Sequence, residues 1–159
     1  MKPATVHQLR KKLADQSHDE LVSYCVRLAK YKKENKELLS YLLFETDEDA
    51  YVRELKVEVD ELFTTVNRHQ VYFAKKTIRK ILRFIDRFIR YTGNKESELK
   101  LRIHFCKRML ELSSLIQKSA QMQNLYIRQM SKIEKALESL HEDLQYDYHQ
   151  DISGLSRSW

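Results

Sequence analysis

The chain is predicted to fold as an all-α, antiparallel helical bundle of six to seven helices in a single domain. Three observations carry that prediction. The 159 residues contain two Gly and one Pro, the latter at position 3, so the turns that hairpins require are scarce. Charged residues make up 33% of the chain, above the roughly 25% of an average domain, and Leu, Lys, Glu and Arg are abundant. Apolar residues recur at three- and four-residue spacing along most of the length, the period of a half-buried helix. A chain of this size buries roughly 68–70% of the surface it exposes when unfolded, so neither a disulfide nor a metal is needed to hold it.

Taken in order, residues 5–14 read as a short first helix with Val6, Leu9 and Leu13 along one side. Ser17-His18-Asp19-Glu20 is a capping box, in which hydroxyl and carboxylate satisfy free N–H groups reciprocally. It opens a second helix through Leu21, Cys25 and Leu28. That helix either runs on into Leu38, Leu39, Leu42 and Leu43 or breaks at Asn35 as a new N-cap, and the pattern leaves both open. Thr46-Asp47-Glu48-Asp49 supplies a cap and three acids to the first turn of the next helix, where they suit its dipole. Val52, Leu55, Val59, Leu62 and Val66 continue it.

Asn67 is expected to cap the helix that follows, over residues 70–92, and Gly93 to end it in the left-handed conformation. Asn94 then caps the next helix, so these two neighbours should pack antiparallel. Leu99, Ile103, Cys106 and Leu110 form one seam; Tyr126, Met130, Ile133, Leu137, Leu140 and Leu144 form a second. The uncharged, weakly patterned residues 119–124 are expected to turn the chain between them. Residues 1–146 thus make the bundle domain, and residues 147–159 an irregular C-terminal tail.

Residues 70–92 divide most sharply. At about 100° per residue, Lys76, Arg79, Lys80, Arg83, Arg87 and Arg90 fall within one basic arc, and Ala74, Ile78, Ile81, Leu82, Ile85, Phe88 and Ile89 lie opposite. Those six cations are the candidate partner-binding residues. The preceding residues 41–66 carry a formal charge of −6 and residues 67–92 one of +7. If Glu54, Glu58 and Glu61 face the stripe, its flank is neutralised within the chain. Two readings follow: a solvated, partly paired helix face, and an anion-binding surface for nucleic acid or an acidic protein. Tyr72, Phe73, Phe84 and Tyr91 border the arc, where rings beside Arg can stack bases or anchor a protein.

No catalytic, cofactor-binding or metal site is expected. Glu138 and His141 have a Glu-x-x-His spacing, but a di-metal bundle needs a second such pair and further carboxylates, and the chain has none. His104 and Cys106, two apart, diverge by about 200° on a helix and cannot share an ion. Asp147, His149 and Asp151 form no more than a weak cluster in the tail. Phosphate-cradling Gly loops, Cys-x-x-Cys pairs and nucleophile elbows are absent. Cys25 and Cys106 sit among apolar neighbours and read as small core residues in a reducing compartment. The N-terminus has no apolar core of a secretory signal, and no apolar run reaches membrane-spanning length. A cytoplasmic protein without membrane contact is expected.

The opening Thr-Val-x-x-Leu-Arg-x-x-Leu, with Glu-Leu-Val and Arg-Leu after it, is distantly similar to the helix-extended-helix modules of some DNA-binding proteins, although their Gly-containing turn is absent. The runs RLAKYKKENKELLSYLLFE at 27–45 and KKTIRKIL at 75–82, with His-Phe-Cys at 104–106, resemble an uncharacterised family of bacterial all-helical proteins with no assigned activity. The resemblance spans most of residues 5–145, implies a compact helical protein and supplies no catalytic residue. The expected function is non-enzymatic binding of a macromolecular partner, in a protein–protein or scaffold role. Nucleic-acid binding through the face of residues 70–92 and the basic N-terminal hairpin is the alternative. Self-association through the C-terminal seams is a further expectation.

Overall fold

The computed structural model describes residues 2–157 and 159. It is all-α: among the described residues there are nine helices and no strand. The chain divides into two compact units, residues 1–45 and 46–159, where the sequence predicts a single domain over 1–146.

The first unit holds α1 (Val6–Ala14), α2 (His18–Tyr31) and α3 (Lys33–Phe44). Local chemistry sets each boundary. Thr5 and Gln8 cap α1 reciprocally, and Ser17 and Glu20 do the same for α2, as the sequence predicts. Between α2 and α3 a single residue, Lys32, is extended, with φ −140° and ψ 145°. The break therefore comes three residues before Asn35. Asn35 instead turns its Nδ2 back to donate to the Leu28 carbonyl at 2.8 Å, satisfying one of the acceptors that the end of α2 leaves open. The pair α2 and α3 pack as a hairpin around a concavity of about 210 Å³ lined by Cys25, Leu28 and Leu38. No described side chain of this unit is buried, and Val6 is 76% exposed.

The second unit holds α4 (Glu48–Thr64), α5 (Val71–Thr92), α6 (Lys95–Leu110), α7 (Ser113–Gln117), α8 (Ala120–Glu138) and α9 (Glu142–Ser153). Its core is one continuous apolar cluster. Val52, Leu55, Val59 and Phe63 come from α4, and Ala74, Ile78, Ile81, Ile85 and Ile89 from α5. Helix α6 is at the centre. Its most extensive contacts are with α8 and α4, with α5 next, and Leu99, Leu101, Ile103, Phe105, Cys106 and Met109 are all buried. Buried positions so distributed take up more than half of the helix circumference and leave a strip through Lys100, His104 and Lys107 unburied, which is why the single seam read from Leu99, Ile103, Cys106 and Leu110 understates it. Gly93, at φ 58°, ends α5, and Asn94 at once caps α6 by accepting from the Glu96 and Ser97 N–H groups.

Three boundaries differ from expectation. The turn between α6 and α8 lies over residues 111–119 and contains α7. Residues 120–124 are helical because the Ser119 hydroxyl caps α8, accepting from the Met122 N–H. Asn67 organises the turn before α5, accepting from His69 and Gln70, while Gln70 occupies the N-cap itself. The tail is not irregular: α9 runs to Ser153, Leu155 is fully buried, and the Tyr126 hydroxyl donates to its carbonyl at 2.6 Å. Trp159 then stands edge-on against the Tyr126 ring. Isolated, those last residues carry too few apolar side chains to announce that docking.

Among the described residues no helix is long and apolar enough to cross a membrane. The two cysteines differ. Cys25 is exposed, contrary to its expected core position, whereas Cys106 is buried and burial pushes its thiol up to about 12. In the native protein one thiol is expected to react rapidly with an aromatic disulfide reagent and the second only on unfolding; two equally fast thiols would contradict this packing.

Candidate nucleic-acid interface

The surface begins with how α5 spends its charges. Asp86 is the sole acid in α5, and it is partly buried between Arg102 of α6, which binds it at 2.9 Å, and Lys132 of α8 at 3.8 Å. Arg102 is only 4% exposed. Its guanidinium also donates to Glu98 at 2.9 Å and to the Gln129 side-chain oxygen of α8 at 2.8 Å. One buried cation thus ties α5, α6 and α8 together with its donors fixed on three acceptors. Burial by itself raises the Glu98 carboxyl, but hydrogen bonds from Arg102 and Lys95 outweigh it and hold the group below the usual carboxylate range.

The acids of α4 are spent elsewhere. Asp49 pairs with Lys100 at 2.7 Å, and Asp60 with His104 at 2.7 Å and Arg108 at 3.1 Å, all on α6. Burial disfavours the Lys100 ammonium, yet hydrogen bonds to Asp49 and Glu96 more than offset this and raise it above its usual range. Of the three α4 carboxylates expected to flank the stripe, Glu58 is engaged within the chain, whereas Glu54 and Glu61 do not neutralise it. Neither forms an ion pair with a described residue.

Consequently Lys76, Arg79, Lys80, Arg83 and Arg90 are exposed and form no ion pair with any described residue. Arg87 departs from the other five. It is partly buried and engaged within the chain, its guanidinium 5.1 Å from the Phe88 ring centroid and 5.8 Å from that of Phe84.

The structure adds a second wall. Helix α8 runs beside α5, and between them lies a groove of about 450 Å³ where Arg79 faces Arg128, Lys132, Gln121 and Asn124. Lys75 bridges the helices at one end, donating to the Gln121 side-chain oxygen at 2.7 Å. A neighbouring concavity of about 360 Å³, sharing Arg79, is lined by Tyr72, Lys75, Lys76 and Arg83. At the Gly93 end a third, of about 410 Å³, holds Arg90, Lys95 and Lys132 beside Asp86. The α8 residues were legible in principle: Gln121, Asn124, Arg128 and Lys132 are spaced 3, 4, 4, one face of a helix. A turn placed over residues 119–124 hides that periodicity.

The remaining motifs disperse. Glu138 ends α8 while His141 caps α9, so they share no helix face. His104 is partly buried against Asp60, at the edge of the core. Among the described residues no three His, Cys, Asp or Glu side chains stand close enough to hold a metal ion. The aromatics Phe84, Phe88 and Tyr91 pack on one another, with Tyr51 against Phe88. No protein-family model, curated protein or solved structure matches the chain.

Substituting Arg102→Leu takes the buried cation from Glu98 and Asp86, leaving them Lys95 at 3.0 Å and Lys132 at 3.8 Å, and is expected to lower the free energy of unfolding by about 3 kcal/mol, the lower end for removing one partner of a buried pair, because both carboxylates keep an exposed lysine and Asp86 some water access. Urea denaturation measures it, and a loss below about 1 kcal/mol would place the network among ordinary surface pairs.

Proposed function

We propose that this chain works by binding rather than catalysis, and that its partner is a nucleic acid docked on the basic face of α5 and the groove between α5 and α8. The observation that carries this reading is the set of five exposed α5 cations without an acidic partner among the described residues, continued across the groove by Arg128 and by Lys132, whose ammonium lies 3.8 Å from Asp86. A polyanion neutralised by such a row releases its condensed counterions, which makes salt-dependent affinity the main driving term. The strongly shifted groups belong to packing instead: Lys100 and Tyr148 to an ion-pair network with Glu96, and Cys106 to the core.

The protein–protein role expected from the sequence is a second reading, favoured by the first unit. Its Val6, Leu9 and Leu13 form an exposed apolar row on α1, and Leu42, Leu43 and Phe44 end α3 equally exposed. Rows of this kind are a common way for a helix to meet another protein.

Fluorescence anisotropy of a labelled oligonucleotide at several salt concentrations tests the first reading. Log affinity is expected to fall linearly with log salt, and Arg79→Gln with Arg83→Gln is expected to lower the slope by about 1.4–1.8, roughly 0.7–0.9 for each lost phosphate contact. Absence of binding at the lowest salt would reject it in favour of the protein-binding role.

A further inference from the structure

We infer that the nucleic acid is single-stranded, with unpaired bases stacking on the Tyr72–Phe73 pair where the basic groove opens. This deepens the nucleic-acid reading above and rests on it.

Tyr72 and Phe73 are the second and third residues of α5 and are 68% and 50% exposed. Their rings touch edge to face, with centroids 5.3 Å apart. The other aromatics of α5 pack on one another, so their place is explained by the interior; that of Tyr72 and Phe73 is not. Two large apolar rings left in water contribute little to folding, since the gain from an aromatic side chain comes from its removal from water.

Position supplies the rest. Tyr72, Lys76, Arg79 and Arg83 are spaced 4, 3, 4 and share one helix face, so the ring heads the row of cations and lines the same concavity as they do. Lys75, held on Gln121, joins the two walls at this end. A backbone tracked by the cations therefore passes a ring at the distance of a neighbouring nucleotide. Cationic grooves interleaved with exposed aromatics are how single strands are held without sequence preference, because every base has a π-face. The groove beyond, of about 450 Å³, is the size of a small-ligand pocket and admits the nucleotide units of one strand. Its exposed Asn124 and the Gln121 amide nitrogens offer hydrogen bonds to base edges that a duplex keeps paired.

The test uses the full chain with a labelled single strand of about 16 nucleotides, within the span such grooves cover, and the same sequence as a duplex. The single strand is expected to bind at least about tenfold tighter than the duplex at equal salt, and Tyr72→Ala with Phe73→Ala to weaken it by about tenfold with its salt slope unchanged. Quenching of a 2-aminopurine placed in the strand should accompany binding by the native chain and disappear in that variant. Both positions are exposed, and circular dichroism with thermal melting verifies that the variant folds. Equal or tighter duplex binding, or an unchanged single-strand affinity in the aromatic variant while Arg79→Gln with Arg83→Gln weakens binding, overturns the single-strand inference and leaves the docking surface standing. No binding of either form at low salt removes both.

Discussion

The guanidinium of Arg102 is the contact on which the second unit turns. It sits among α5, α6 and α8 and holds Glu98, Asp86 and Gln129 within 2.9 Å. Removing a cation from water costs several kcal/mol unless its donors are matched, and here three acceptors from three helices supply the match. The arrangement is therefore demanding: it fixes which face of each helix looks inward. Ile78, Ile81 and Ile85 of α5 and Tyr126 and Ile133 of α8 fill the apolar space around it.

The same contact decides the character of the surface. By engaging the single acid of α5 at 2.9 Å, it keeps that carboxylate away from Lys76, Arg79, Lys80 and Arg83, with which Asp86 forms no ion pair. Lys76 and Lys80, and Arg79 and Arg83, stand four residues apart, a spacing at which like charges destabilise a helix by about 0.2–0.5 kcal/mol per pair. Meanwhile α4 gives Asp49 and Asp60 to α6. Two of its acids are thereby committed to α6 and not to Lys76, Arg79, Lys80 or Arg83. A face kept at some cost to stability, with cations on both walls of a groove, fits a polyanion better than it fits plain solvation.

What the sequence made legible was local. The Ser17–Glu20 box, the left-handed Gly93 and the Asn94 cap are each a few residues long and depend on neighbours in the chain, so composition and spacing reveal them. The basic arc of α5 was equally plain, because one face is apolar throughout. Partnerships across helices were hidden. That Asp60 meets Arg108 and not α5 depends on how α4 packs, and Arg102, read along the sequence, is one more charge in a mixed helix. The second wall of the groove is hidden because residues 119–124, uncharged and weakly patterned, suit a turn as well as a helix, and a Ser119 cap alone does not decide between them. Likewise Leu155 gains meaning only where Tyr126 stands to receive it.

One arginine of this unit is consumed by the fold, and others stand exposed for a partner. Recording the Nε–Hε resonances of the arginine side chains while titrating a single-stranded oligonucleotide tests that contrast most directly. Arg79, Arg83 and Arg90 are expected to shift as the strand binds, while Arg102, shielded from water and bonded through its Nε to Glu98, keeps its position and exchanges slowly with solvent. An Arg102 resonance that exchanges freely, or a titration that leaves Arg79 and Arg83 unmoved while other arginines shift, would contradict it.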